Sequence, residues 1–131
     1  MAYLPNMAQW IKVTKVYTDF ATAGVTNDIE IYSLPAKSLI HSCQVVVNTA
    51  FSGGTISAYT ISVGIGGNLV KYSAATNVFT GFTLTQPSVL AGIESLSGAT
   101  SIRAAAISTI GLLNAASAGS VSVYLLISTL P

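Results

Sequence analysis

The sequence predicts an all-β fold, a single antiparallel β-sandwich of the jelly-roll kind with about eight strands. Short stretches alternate apolar and polar residues at period two, which is typical of half-buried strands. Turns rich in Gly, Pro and Asn separate these stretches, as they do in sandwiches and small barrels. No stretch combines a helical apolar period with capping residues. The length of 131 residues fits one domain.

The clearest alternation lies between Ser33 and Gly67. In residues 58–65, Tyr59, Ile61, Val63 and Ile65 alternate with smaller residues. In residues 39–47 the same period assigns one face to Leu39, His41, Cys43, Val45 and Val47. Phe51 to Thr55 supplies a Gly-rich turn between the two stretches, because glycine reaches positive φ without a Cβ clash. We therefore expect the two stretches to pair as antiparallel strands, with one face on a core.

Alternation predicts the other strands in chain order. They cover residues 10–17, 28–34, 69–73, 78–85, 100–110 and 120–130. Pro35 and Pro87 end two of them, since proline cannot donate to a β-ladder. The Ala104–Ala106 run also suits a helix, but flanking Ile and Thr favour a strand with Ile102, Ala104, Ala106, Ser108 and Ile110 on one face. Residues 88–99 read as a loop with room for one helical turn around 89–93.

The first ten residues show little strand pattern and contain Pro5. We therefore divide the chain into an N-terminal arm, residues 1–10, and a β-sandwich domain, residues 11–131. Two interpretations of the arm stay open: it folds back over its own core, or it docks on a neighbouring subunit. In the second case its apolar residues form an interface: Tyr3, Leu4, Met7 and Trp10.

Charge is the most unusual feature of the composition. Charged residues make up 7% of the chain, against about 25% in ordinary soluble domains. The basic residues are scattered, which argues against a nucleic-acid partner, since such a partner requires clustered Lys and Arg. The charge-free C-terminal part is interrupted by Ser, Thr, Asn and Gly, so we expect no membrane helix. Weak self-repulsion on such a surface favours a protein that works inside an assembly.

Candidate chemistry is sparse. His41 and Cys43 share a predicted strand face, but neighbours at this spacing lie roughly 6–7 Å apart, too far for a nucleophile and its base. Asp28 and Glu30 share another strand face and suit a weak cation site. The default interpretation of these two carboxylates, and of Glu94, is a solvated charge. One His and one Cys cannot build a structural zinc site, and a lone cysteine forms no intrachain disulfide. We expect no catalytic, cofactor or metal site, and no enzyme.

Two further patterns have simple explanations. The Gly-rich run at residues 64–67 lacks the Lys and helix of a phosphate loop and predicts a hairpin turn. Five tyrosines fall on alternating strand positions: Tyr17, Tyr32, Tyr59, Tyr72 and Tyr124. They suit core or interface packing better than a sugar-stacking platform.

Three stretches of the sequence resemble small β-rich virion proteins of tailed bacteriophages. They are SLPAKSLIHSCQVVVNTAFSGGTISAYTISVGI, NLVKYS and ATSIRAAAISTIGLLNAASAGSVSVYLLISTLP, and they cover most of residues 31–131 but not the first ten. Such proteins often carry an aromatic residue in the last strand, a place that Tyr124 fills. The family has no catalytic motif to transfer.

The resemblance implies a virion component, most plainly a head decoration (cement) protein that binds the major capsid protein at the capsid surface after synthesis in the host cytoplasm. A homotrimer is the expected form, because symmetric oligomers match capsid symmetry axes. The alternative is a tail or fibre component that recognises a host surface glycan. A small hydrolase that uses His41 is the remaining, least supported, possibility.

Overall fold

The computed structural model describes residues 8–80 and 93–130, and the backbone of residues 84–85. Within these residues the regular structure is β-strand, with two single 3-10 turns at Tyr17–Asp19 and Leu113–Ala115. The strands are β1 (Gln9–Val16), β2 (Thr26–Leu34), β3 (Ser38–Ser52), β4 (Ala58–Ile65), β5 (Asn68–Asn77), β6 (Leu84–Thr85), β7 (Thr100–Thr109) and β8 (Ala118–Thr129). The predicted all-β sandwich is confirmed.

The strands form two antiparallel sheets with a jelly-roll order. The first sheet runs β1-β8-β3-β6 and the second runs β2-β7-β4-β5. The first four strands pair with the last four, as β1–β8, β2–β7, β3–β6 and β4–β5. These are the pairs of one long antiparallel hairpin whose turn lies between β4 and β5. Winding this long hairpin into a sandwich also places β8 beside β3 and β7 beside β4. This is the double Greek key of a jelly roll.

The predicted pairing of β3 with β4 is wrong, because the two strands belong to opposite sheets. The chain leaves the first sheet after Ser52, whose carbonyl accepts from the Ser117 amide at 2.8 Å, and crosses as an arch. It enters the second sheet at Ser57, whose amide donates to Thr109 O at 3.1 Å. Gly53, at φ 149°, lies so close to the 113–117 segment that a Cβ would overlap the Ala115 carbonyl. Hairpins and arches both need glycine, so the local sequence did not separate them.

A β-bulge also overturns the predicted face of β3. Ile40 pairs with Ile127 and Ser42 pairs with Leu126, so His41 is an extra residue. After the bulge the inward phase shifts, so Ile40 and Cys43 are both fully buried. His41 therefore lies on the outer face, not beside Cys43.

Other strand predictions need smaller corrections. A bulge in β2 between Glu30 and Tyr32 places Ile31 and Leu34 together in the core. β5 extends to Asn77, and Val78 enters the core outside any strand. At the end of β7, Ile110 turns outward at φ 67° and does not continue the buried face. The predicted Gly66–Gly67 hairpin turn is confirmed, since Ile65 and Asn68 pair on either side of it.

The core lies between the inner faces of the two sheets. The inward row of β4 is as predicted, with Tyr59, Ile61 and Val63 fully buried. The predicted face of β7 is confirmed from Ile102 to Ser108. Opposite them, β3 and β8 contribute Val45, Val47, Val121, Val123, Leu125 and Ile127. Each large apolar side chain buried here stabilises the fold by about 1.5–3 kcal/mol relative to exposure.

Parts of the predicted arm, of the predicted strand 78–85 and of the predicted loop 88–99 lie outside the described residues, namely residues 1–7, 81–83 and 88–92. The predicted helical turn around 89–93 falls almost wholly there. Trp10, assigned to the arm, lies in β1 and pairs with Leu126. Across the residues that the structure describes, no helix has the length and apolar character needed to cross a membrane.

Candidate interaction surfaces

The two residues considered as a nucleophile and base are separated by the sheet. His41 Nε2 hydrogen-bonds to Ser128 Oγ at 2.6 Å on the outer face of the first sheet. Cys43 lies in the core, where desolvation raises its pKa to about 12. The thiol is therefore protonated at neutral pH and is shielded from solvent. The arrangement does not form a Cys-His pair.

The carboxylates of β2 do not form a cation site. Arg103 Nε donates to Asp28 Oδ2 at 2.5 Å, and Arg103 Nη2 donates to the Asp28 carbonyl at 3.1 Å. Asp28 is thus engaged by a guanidinium, while Glu30 points to solvent. Over residues 8–80 and 93–130 no group of three or more His, Cys, Asp or Glu could hold a metal ion.

The default expectation of a solvated charge is also wrong for Glu94. Its side chain is 8% exposed, and Lys71 Nζ lies 2.5 Å from Glu94 Oε1. The Tyr72 hydroxyl donates to the same oxygen. Burial, and then the hydrogen bond and charge of Glu94, raise the pKa of Tyr72. The cluster ties the segment before β7 to β5, the edge strand of the second sheet.

The outer face of the first sheet carries a pocket that we call the aromatic pocket. It is lined by Trp10 of β1, Gln44 of β3 and Tyr124 of β8, with a cavity volume of about 290 Å³. Trp10 is 51% exposed. Lys12 Nζ lies 5.8 Å from the centroid of the Tyr124 ring, which is within the range of a cation–π contact. Next to the pocket, Thr14 of β1 and Asn48 of β3 each hydrogen-bond to the buried Ser122 hydroxyl of β8 and connect the three strands.

A second surface, which we call the apolar tip, lies at the end of the sandwich where β7 finishes. It comprises Val25, Ile107, Ile110 and Leu112, all exposed. Two backbone hydrogen bonds hold the segment around Val25 beside the segment that follows β7. The Ser108 amide donates to the Val25 carbonyl at 2.9 Å, and the Leu113 amide donates to the Gly24 carbonyl at 2.8 Å.

Ile110 is the most unusual residue of the tip. It is 74% exposed and has φ 67°. A β-branched residue in the left-handed region is a genuine outlier.

Ile107 also borders a shallow depression on the outer face of the second sheet. The depression has a volume of about 270 Å³ and is lined by Thr26, Asn27, Asp28, Leu69, Ala105, Ala106 and Ile107. Its carboxylate is already bound by Arg103. The depression therefore extends the apolar tip and has no free charged group of its own.

Sequence reasoning identified only part of these surfaces. Of the predicted interface residues, Trp10 lines the aromatic pocket, and Tyr3, Leu4 and Met7 lie outside the described residues. The apolar tip was missed, because Ile107 and Ile110 were assigned to a predicted strand and only Leu112 lies beyond its end. An apolar residue just after the predicted strand, Leu112, was the available signal, since contiguous exposed apolar residues mark interaction sites.

The fold is shared with chains of two solved phage capsids. A chain of the cyanophage Pam1 capsid asymmetric unit superposes with a TM-score of 0.69, covering 99% of this chain and 90% of that chain at 15% sequence identity. A chain of the capsid of Ralstonia phage GP4 superposes with a TM-score of 0.60, covering 100% of this chain and 90% of that chain at 14% identity. No protein-family model matches the sequence, and no curated protein is significantly similar to it. At these identities the comparisons show a common fold.

Proposed function

We propose that this chain is a structural protein of a bacteriophage virion that decorates the head, binding the major capsid protein and reinforcing the shell. The observation that carries the proposal is the extent of the structural match. The jelly roll covers nearly all of this chain and 90% of the Pam1 capsid chain. The two molecules therefore correspond as whole domains. The resemblance of the sequence to small virion proteins supports the same assignment.

The apolar tip is the contact surface that we assign to the capsid. A left-handed, β-branched Ile110 costs about 1–2 kcal/mol in the isolated chain. Its exposed side chain contributes no core packing in return. The strained backbone and the exposed side chain of Ile110 are both explained if the tip is buried against another subunit. Interface cores are depleted of charged residues and enriched in apolar contacts.

We assign a different contact to the arm. β1 begins at Gln9, so residues 1–8 precede the sandwich. We propose that Tyr3, Leu4 and Met7 contact a neighbouring copy within a homotrimer. The proposal includes no catalytic step, because a cement protein acts through contact area alone.

Binding to particles tests the proposal. Purified chain is added to heads of the encoding phage that lack it, and bound chain is measured by co-sedimentation. We expect saturable binding that Ile110→Asp weakens by about ten-fold or more, equivalent to 1.4 kcal/mol. Aspartate tolerates the left-handed region better than isoleucine does, so the variant should fold.

The matched control is Leu96→Asp, which places the same charge at an exposed leucine just before the start of β7, at the opposite end of that strand from the tip. It should bind as the parent does. Absence of binding by the parent chain would contradict the decoration role. Equal binding by Ile110→Asp and the parent would remove the tip from the contact.

Deletion of residues 1–8 tests the arm separately. The shortened chain should keep the sandwich fold, because β1 is retained, and should lose trimer formation and particle binding. A trimer of the shortened chain in analytical ultracentrifugation would contradict the role assigned to the arm.

A further inference from the structure

We infer that the aromatic pocket binds a saccharide that carries a carboxylate group. The inference goes beyond a structural role in the capsid and does not depend on where the chain sits in the virion. It stands on three features of the pocket: the placement of two aromatic rings, a free amide beside the Tyr124 ring, and the charge of the sheet on which they lie.

Strand register builds the pocket from three neighbouring strands. Lys12, Tyr124 and Gln44 stand in one row across β1, β8 and β3. Trp10 belongs to the next row, diagonal to Tyr124, at a Cβ separation of about 7–8 Å. Within the described residues, ring contacts occur only among Phe20, Phe51 and Tyr59, so the Trp10 and Tyr124 rings do not stack on each other.

The size and the aromatic walls suit one sugar ring. The volume of about 290 Å³ is just below the size at which ligand pockets usually begin, roughly 300 Å³. About half of the surface of Trp10 is exposed to solvent. Indole and phenol rings combine an apolar face with a polar edge, and this matches a pyranose, which has apolar C–H faces and a polar rim.

Gln44 supplies hydrogen bonds beside Tyr124, on the side away from Trp10, because β8 lies between β1 and β3. Its amide makes no hydrogen bond within the part of the chain that the structure describes. One carbonyl acceptor and two N–H donors are therefore available to adjacent hydroxyl groups of a sugar. An apolar pocket with a few placed polar groups is the usual composition of a small-molecule site.

The charge of the sheet selects an acidic ligand. β1, β3 and β8 contain no Asp or Glu, so no carboxylate on these strands opposes an anion. Lys12 stands beside Tyr124 with its ammonium at the edge of the pocket. The other lysine of β1, Lys15, lies on the opposite face of the strand. A carboxylate on the bound sugar would reach Lys12.

The experiment titrates the full chain with oligogalacturonate and with the same oligosaccharide after reduction of its carboxyl groups to alcohols. An array of other acidic bacterial polysaccharides, each with its reduced form, is probed in parallel. We expect at least one acidic saccharide to bind about ten-fold or more tightly than its reduced counterpart, with an affinity that falls as salt rises.

Three variants localise the site. Trp10→Ala should abolish binding, and Lys12→Met should remove the preference for the acid while leaving weak binding of both forms. Lys15→Met removes the same charge from the other face of β1 and should bind as the parent does. Failure of every acidic saccharide, equal affinity for acid and reduced forms, or unchanged binding by Trp10→Ala would each overturn the inference. Circular dichroism confirms that each variant is folded, and none of these outcomes bears on particle binding through the tip.

Discussion

Phe51 and Tyr59 pack against each other across the sandwich, with ring centroids 4.7 Å apart and planes at 36°. Phe51 is the penultimate residue of β3 in the first sheet, and Tyr59 is the second residue of β4 in the second sheet. The contact exists because the connection between the two strands is an arch. The Val78 carbonyl accepts from the Phe51 amide at 2.8 Å, and the Val78 amide donates to the Tyr59 carbonyl at 3.0 Å. These bonds fix the backbone that positions both rings.

Replacing Tyr59 with Phe should leave the protein as stable or make it more stable. The Tyr59 hydroxyl is buried without a hydrogen-bond partner within the described residues, and burial raises its pKa. Removing it keeps the ring contact with Phe51 and ends the cost of the unpaired group, which is about 1–3 kcal/mol. Urea unfolding measures the change.

The matched control is Tyr72→Phe, which removes a hydroxyl that donates to Glu94. It should lower the free energy of unfolding by about 1.5–3 kcal/mol, because that bond is to a charged group. A greater loss of stability in Tyr59→Phe than in Tyr72→Phe would contradict the assignment of the two hydroxyls.

Gly119→Ala should destabilise the fold strongly. Gly119 has φ 148°, and a Cβ there would overlap the Phe51 ring. The ring is held between Phe20 and Tyr59, so it cannot move aside. Overpacking and strained backbone together should cost about 2–4 kcal/mol.

Gly66→Ala is the comparison for Gly119→Ala, since a Cβ at Gly66 meets nothing within 4 Å. The substitution should change the free energy of unfolding by less than about 1 kcal/mol. Thermal denaturation of the two variants distinguishes them, and similar melting temperatures would show that Gly119 is not constrained by Phe51.

Period-two alternation predicted the buried face of a strand correctly where the strand has no β-bulge on that face, and wrongly where a β-bulge adds a residue. Tyr59, Ile61 and Val63 were placed inward correctly because β4 follows β7 without a bulge. In β3, one added residue at His41 reversed the phase of everything before it, and no residue type marks that position.

The aromatic pocket could not be predicted from the sequence, because its residues are distant along the chain. The aromatic pocket joins Trp10 and Tyr124, which come from opposite ends of the chain and meet only through the β1–β8 register. Such non-local pairing leaves no local pattern. The same reason explains the wrong pairing of β3 with β4, since period-two alternation identifies a strand but not its partner.

Stability should fall as pH rises above 9.0. Burial raises the Cys43 pKa from 9.0 to about 12, so between these values the unfolded chain loses a proton that the folded chain keeps. The free energy of unfolding then decreases by about 1.4 kcal/mol per pH unit for this group. The raised pKa values of Tyr59 and Tyr72 act in the same direction.

Urea unfolding at a series of pH values measures this slope. Below pH 9.0 the Cys43 contribution should be constant, because both states hold the proton. Cys43→Ala should give a shallower decline than the parent chain. A free energy of unfolding that is flat or rises between pH 9.0 and about 12 would contradict the assignment.

Lys71 and Glu94 should be coupled energetically. Lys71→Met leaves the nearly buried Glu94 carboxylate without its cation, so we expect a loss of about 1–3 kcal/mol, below the full cost for a completely buried pair because Lys71 is partly exposed. Adding Glu94→Gln to this variant removes the unpaired charge and should recover part of the loss. A double-mutant cycle by chemical denaturation measures the coupling, and strictly additive effects would show that the contact is not formed in solution.

The most direct test of the central claim is the copy number of this chain in purified virions, measured by quantitative mass spectrometry against the major capsid protein. The account predicts on the order of hundreds of copies per particle, because a decoration protein follows the repeating symmetry of the head lattice. A few copies per particle would place the chain in the tail or a fibre and contradict the decoration role. Its absence from virions would contradict the proposed function as a whole.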